Sequence, residues 1–540
     1  MKQQFFLCLI VGCLTTFNVR PDVSQVWVAD LGNGNYKNPV LHTDYSDPDV
    51  CRVGDDYYMT ASSFNCIPGL QILHSKDLVN WTIIGAAISK LTPEDAFSRP
   101  QHGGGVWAPA IRYHNKMFYI YYGDPDHGIF MTKTKDPAGE WEPATLVKAG
   151  QGLIDPCPFW DKDGQAYLVH AYAGSRAGIK SLLVMNRLTP DGTQITGSGK
   201  IVYDGHDIDE TIEGPKLYKR NGFYYIFAPA GGVATGWQVV LRSGNIFGPY
   251  ERKVVLAQGD TPINGPHQGA WVDTKTGEDW FIHFQDRATF GRVVHLQPMQ
   301  WINDWPVIGE DPDGDGTGQP VLTYRKPNVK QVYPITTPAE SDEFSSSQLG
   351  LQWQWHANPM DWWSVPNPTK GVLSLYSVPT DYNLNLWNTP NLLLQKFPAD
   401  SFMVTAKITF IPSPAIKGER AGLLVMGTDY ASLSFENTEW GLVLSQNECL
   451  NADAFGEEKL NVAIRLEENT VYLRVKVQPD ASCTFSFSKD GEEFTTLGNV
   501  FTAKAGKWIG AKVGLFCNRP MQTNDGGRIE VDWFRIEPDI

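Results

Sequence analysis

The chain has 540 residues, including 51 glycines and 36 prolines, with 12% aromatic residues, 19% charged residues and a net charge of −15. That length exceeds one ordinary hydrophobic core, and so many turn formers and aromatics exclude a disordered chain or a coiled coil and point to many short strands. The acidic balance excludes the basic face on which nucleic-acid binding depends and argues against a polyanionic substrate, whereas a neutral one such as a sugar is compatible with it.

In chain order the first feature is Lys2 followed by FFLCLIVGCLTTF. This apolar run is too short to cross a bilayer and has the length of a signal-peptide core. Residues 1–25 are therefore read as an export signal, placing the mature protein in the periplasm, at the cell surface or outside the cell. Ile10 to Cys13 offer a lipoprotein cleavage box with the lipid on Cys13, and cleavage near Ser24 is the alternative. No other apolar stretch reaches about 18 residues, so no transmembrane span is expected. The remaining cysteines (51, 66, 157, 449, 483 and 517) form no CxxC pair and lie near no histidine at metal-ligand spacing. They are expected to be buried free thiols.

Five segments then repeat one pattern. Each has a proline (Pro48, Pro109, Pro156, Pro215, Pro266) followed by an aromatic beyond a turn (Tyr58, Tyr119, Tyr167, Tyr225, Phe281). The period is about 54 residues. A glycine marks a third strand in each copy (Gly69, Gly128, Gly178, Gly236, Gly291), with alternating apolar residues in LQILHS, IFMTKT and RVVHLQ. Each copy is thus a meander of about four strands that cannot bury both faces alone. Radial stacking solves that, and the all-β fold class predicted is a five-bladed β-propeller over 36–325. Residues 326–340 hold three prolines and read as a linker. Residues 341–540 lose the period but keep alternating strands, which predicts a second domain, a jelly-roll or lectin-like β-sandwich. Between the two, DPDGDGTG (311–318) opens like a calcium loop, but its twelfth position is Leu322 instead of the bidentate Glu, so it reads as a surface turn.

First strands of propeller blades line the axis, so positions at or just before the prolines converge. They are Asp47, Trp107, Asp155, Glu213 and His267. Like charges so close push pKa values apart, which is what acid–base chemistry needs. Two carboxylates across a sugar-sized gap point to glycoside cleavage. Glu210 is the reserve candidate for the acid, with Asp207 and Asp209 beside it. The faces of Phe64, Trp107 and Trp160 are candidate sugar platforms, and Arg287 is a candidate to orient a carboxylate or hold a hydroxyl. No GxSxG, P-loop, HExxH or GxGxxG motif supports another chemistry.

On NPVLHTDYSDPDVCRVGDDYYMTASSF, PGLQILHSKDLVNW, GVWAPAIRYH, GLIDPCPFWD, EGPKLYK and FQDRATFGRVVHLQPMQW, the sequence resembles glycoside hydrolase family 43 along nearly its whole length. The resemblance implies a five-bladed propeller and an inverting, exo-acting glycosidase. It gives Asp47 the part of general base, Glu213 that of general acid and Asp155 that of the third carboxylate, which tunes and orients the acid. It implies an arginine near the sugar at Arg287 and no required cofactor beyond a structural calcium in the axis at His267, although GPHQGAWV departs from the commonest form of that motif. DEF (342–344), LQWQWHANP (351–359) and VDWFRIE (531–537) resemble the concanavalin-like sandwich of the β-xylosidase branch, which packs on the propeller and lends a side chain to the pocket rim in relatives. The expected substrate is terminal pentose on plant hemicellulose, α-L-arabinofuranosyl or β-D-xylosyl, with the resemblance inclining to the former. The rival is a carbohydrate-binding propeller without catalysis. Trp353, Trp355, Trp362 and Trp363 are weighed as a polysaccharide platform, with core packing the preferred reading.

Overall fold

The computed structural model describes residues 23–380 and 385–539, and strands make up nearly all of its regular structure. The expected export segment, Cys13 included, lies outside the described residues as far as residue 22. Among the described residues, no helix is long and apolar enough to cross a membrane.

Each repeat forms a four-stranded antiparallel sheet in which sequence neighbours are also hydrogen-bonded neighbours, over 49–88, 107–149, 153–204, 216–256 and 267–308. The aromatic landmark sits on the second strand every time, and aromatic pairs fill the seams between blades. Tyr58 meets Phe118 edge-on at 4.9 Å, Tyr119 meets Trp160 at 4.9 Å and Tyr225 meets Trp301 at 5.0 Å. Flat sheets splayed around an axis leave wedge-shaped gaps at the rim, and large rings fill them. The chain closes the ring through a short ladder between Asn35–Lys37 and Thr323–Arg325. The linker is held against the first blade, where Lys326 sits between Asp30 and Asp77 at 2.5 and 2.8 Å.

The second domain is two sheets packed face to face. One runs through Leu393–Lys396, Lys512–Arg519, Arg420–Met426 and Tyr430–Thr438; the other runs through Val372–Tyr376, Arg528–Glu537, Phe402–Ile411 and Thr470–Val477. Strict alternation along Thr470–Val477 sends Val471, Leu473, Val475 and Val477 inward to meet Leu433, Val513 and Phe534. Trp353, Trp355 and Trp363 are buried in this core and only Trp362 is exposed, so three of the four are packing residues and they form no shared platform. The six cysteines are free thiols. In the 311–318 turn, Asp311, Asp313 and Asp315 accept backbone N–H groups of the turn itself.

The sandwich docks through polar groups that find partners across the boundary. Asn358 exchanges two hydrogen bonds with the Leu91 backbone at 2.8 and 2.9 Å, and Ile67 pairs with Trp355 as in a sheet. Lys512 donates to Cys66 Sγ at 2.8 Å, while Lys396 donates to Gln71 at 2.9 Å and sits 3.7 Å over the ring of Tyr45. Burial lowers the Lys396 ammonium to about 7, against an opposing pull from Asp44. A lysine whose folded pKa lies below its unfolded value costs stability below the folded pKa, and the cost fades as pH rises toward the unfolded pKa of about 10.4. Lys396→Met should therefore raise the Tm at pH 6, and thermal scans should show the gap from wild type closing by about pH 10; a gap independent of pH would place that ammonium in water.

Candidate active site

At one end of the axis every blade carries the same kink. The residue before the proline has a left-handed backbone in four copies: Asp47 (φ 55°), Ala108 (φ 28°), Asp155 (φ 56°) and Gly214 (φ 58°). In the fifth blade the kink falls on Gln268 (φ 35°), past Pro266 instead of before a proline. Such a conformation costs a non-glycine residue roughly 1–2 kcal/mol, with aspartate among the more tolerant. Strand pairing slips at the same points, between Trp107 and Ala110, Ile154 and Cys157, and His267 and Gly269. In the first and third blades the kinked residue itself supplies the carboxylate. In the other three, the residue just before it points into the axis, and these are Trp107, Glu213 and His267.

Asp155 is the most enclosed of the acids, at 1% exposure. Its Oδ2 accepts the Gly214 N–H at 2.7 Å and lies 3.5 Å from Gln268 Nε2, so the kinks of the fourth and fifth blades hold it. Burial raises its carboxyl well above the usual carboxylate range, and the charges of Glu213 and Asp47 push in the same direction. Glu213 Oε1 is 2.9 Å from His267 Nε2. Asp47 Oδ2 accepts the hydroxyls of Ser46 and Ser62 at 2.8 and 2.5 Å, which fixes the carboxylate plane. Ser62 Oγ in turn accepts the Ala108 N–H at 2.7 Å, tying the base to the second blade's kink. Further along the axis Asp49, Arg112 and Cys157 pack together, with Arg112 over the ring of Tyr218.

Phe64 and Trp107 form one wall, their rings 6.4 Å apart. Opposite Trp107 stands Trp508 of the sandwich, 6.2 Å away and edge-on, half exposed and itself left-handed (φ 64°). Nothing local in the sequence marks Trp508, because the loop that carries it meets the propeller only in three dimensions.

The structure changes several sequence expectations. The arginine beside Asp47 is Arg292, whose Nη1 donates to Ser46 Oγ at 2.7 Å and reaches Asp47 Oδ1 at 3.4 Å. Arg287, the sequence candidate, contacts His42 at 3.2 Å and Asp400 of the sandwich at 3.9 Å instead. Arg292 follows Gly291, the third-strand landmark, and that register was the signal for it. Trp160 is no sugar platform: it stacks on His114 at 4.6 Å, because the first strand has carried it away from the axis. Glu210 is exposed and paired with Lys180, Asp207 is exposed, and Asp209 is buried in a two-pronged pair with Arg252; none joins the acids. His267 does not fit the expected calcium. Its Nε2 is taken by Glu213, its buried Nδ1 has no partner, and a hard cation asks for six to eight oxygens. No metal enters the chemistry below.

Residues 36–306 match the sequence profile of glycosyl hydrolases family 43, and residues 341–537 match the β-xylosidase C-terminal concanavalin A-like domain. The chain belongs to glycosyl hydrolase family 43. As a family 43 enzyme it is an exo-acting glycoside hydrolase and not a non-catalytic sugar-binding propeller. A protein of Xylanibacter ruminicola is 40% identical over 92% of this chain and 89% of its own. A β-xylosidase of Formosa agariphila is 34% identical over 94% and 91%, and a non-reducing end α-L-arabinofuranosidase of Bacteroides ovatus is 31% identical over 75% and 76%. The crystal structure of a family 43 protein from Bacillus licheniformis superposes with a TM-score of 0.79 at 27% identity, covering 93% of this chain and all of that one.

Two outcomes follow for this family 43 site. Replacing Arg292 by lysine removes a planar fork and should lower kcat/KM by about 10- to 100-fold, whereas Arg287→Ala should cost less than about threefold; the reverse ranking in steady-state kinetics would restore Arg287. Burial and two neighbouring acids hold a proton on Asp155. Asp155→Asn then exchanges one uncharged group for another, so the limbs of the kcat/KM profile should move by less than about half a pH unit, and an alkaline limb moved to lower pH would show Asp155 ionised beside Glu213.

Proposed function

We propose that this enzyme removes single terminal pentoses from hemicellulose oligosaccharides with inversion, Asp47 serving as general base, Glu213 as general acid and Asp155 as the group that holds the acid's proton. The observation that carries the reading is the buried Asp155 set between two other acids at the closed end of the axis, with one carboxyl held on a histidine and another on two hydroxyls. With His267 Nε2–H donating to Glu213 Oε1, Oε2 is left to deliver a proton to the leaving oxygen. Asp47 Oδ2 is committed to Ser46 and Ser62, so Oδ1 faces the attacking water. Arg292 fixes that oxygen and meets sugar hydroxyls as a donor. One terminal residue sits against the acids, and Trp107 and Trp508, packed edge-on, offer an apolar border to what is attached to it.

The substrate class rests on the relatives. The relatives at 40% and 34% identity are named a putative β-xylosidase and a β-xylosidase and that at 31% an α-L-arabinofuranosidase, which puts β-D-xylosyl first and reverses the inclination drawn from the sequence. The reading includes export directed by the apolar segment at 5–17, with a lipid on Cys13 or cleavage near Ser24.

A panel of aryl pentosides tests the class, and silence on every one of them would overturn it. Within an active panel, Glu213→Gln should cut kcat by about 10²- to 10⁴-fold on xylo-oligosaccharide but less than about tenfold on an aryl glycoside with an acidic phenol, which needs no proton donor. Asp47→Asn should be inactive on both. Equal losses for Glu213→Gln on the two substrates would remove it as the acid.

A further inference from the structure

One buried carboxylate near the site has no part in the chemistry above. Asp44 lies three residues before the base and is 5% exposed. Its Oδ1 accepts the backbone N–H of Arg292 at 2.9 Å, and its Oδ2 accepts the backbone N–H of Gly510, in the sandwich, at 2.8 Å. The adjoining Tyr45 N–H donates to the Arg292 carbonyl at 3.0 Å, so the strand bearing the base and the residue beside it are clamped at both backbone groups. Gly510 belongs to the short loop that carries Trp508, closed by a Gly506 N–H to Ile509 carbonyl bond at 2.9 Å. Among the described residues, Asp44 is the one propeller side chain hydrogen-bonded to residues 504–510.

The approach is close enough to require glycine on both sides. A Cβ on Gly291 would fall 2.5 Å from the Asp44 side chain, and one on Gly510 would fall 2.6 Å from the Gly291 nitrogen. Beside this contact Ala511 donates to the Thr289 carbonyl at 2.7 Å, and the Arg292 guanidinium lies 5.7 Å from the Trp508 ring. Arg292, Asp44 and the Trp508 loop are thus one packed unit drawn from both domains.

We propose that Asp44 is a positioning residue that couples the Trp508 loop of the sandwich to Arg292 beside the base, so that one carboxylate sets both the wall of the pocket mouth and its floor. The inference rests on the glycosidase reading for its kinetic consequence and on geometry alone for the coupling. A carboxylate is the fitting group because it accepts at both oxygens and has no donor. Asparagine keeps the shape but presents an NH₂ to one of the two N–H groups, so the coupling fails at one end.

The test is 19F NMR of the full chain labelled with 5-fluorotryptophan, the Trp508 line being assigned by its absence in Trp508→Phe. In Asp44→Asn the Trp508 line should shift or broaden while the lines of the fully buried Trp81, Trp280 and Trp353 stay in place. In kinetics on a xylo-oligosaccharide, Asp44→Asn should raise KM by about tenfold with kcat within about threefold, and the KM effect should vanish in a Trp508→Ala background. Should Asp44→Asn fail to fold, Gly510→Ala breaks the same contact from the sandwich side and should move the same line. A folded variant with an unmoved Trp508 line, or KM penalties that simply add, would overturn the coupling. A Trp508 line that moves in an enzyme silent on all pentosides would uphold it while overturning the substrate class.

Discussion

Three carboxylates share the closed end of a propeller axis, and the remainder of the site is an answer to that crowding. A buried acid between two others cannot ionise freely, so Asp155 is driven toward its protonated form by burial first and by Glu213 and Asp47 second. The surrounding donors divide the remaining charge: hydroxyls and a guanidinium go to Asp47, an imidazole to Glu213, and one backbone amide and the Gln268 side-chain amide to Asp155. Each acid thereby has a different environment at almost the same place, the condition under which one cluster can hold carboxyl groups in different protonation states.

That crowding is imposed by the backbone. The left-handed kink before each proline turns the chain into the axis and costs conformational energy at Asp47 and Asp155. The cost is met by the blades, whose meanders and aromatic seams leave the first strands no alternative path. Glycine takes the kink in the fourth blade, where the Gly214 N–H is needed against Asp155. The fifth blade moves its kink past the proline and so brings His267 within reach of Glu213.

The sandwich is part of the same construction. Its docking surface adds side-chain amides and lysines, with partners on the first blade and the segment after it, to an apolar contact where Phe290 enters the sandwich core. Such contacts hold orientation better than an apolar face would, because each hydrogen bond is lost if the domains slide. The orientation matters because it packs Trp508 edge-on against Trp107 beside the acids.

The fold and the convergence of the candidate site residues were largely legible in the amino-acid order, because both repeat. Five prolines and five aromatics in register define five blades, and the same register singles out Asp47, Trp107, Asp155, Glu213 and His267. Outside that register the amino-acid order misleads: Trp160 lies too far along its strand, Glu210 belongs to a surface ion pair, and Arg287 turns to the sandwich while Arg292 faces Asp47. Side-chain direction at a kink depends on one residue of register, and a one-residue slip reverses the face. What only the tertiary structure decided is which side chains complete the pocket from elsewhere. Trp508 and Gly510 lie more than 460 residues from Asp44, as the separation of 466 across the Asp44–Gly510 bond records. A contact of that kind has no local signature, since it comes from how two independently patterned domains fit and not from any spacing along the chain.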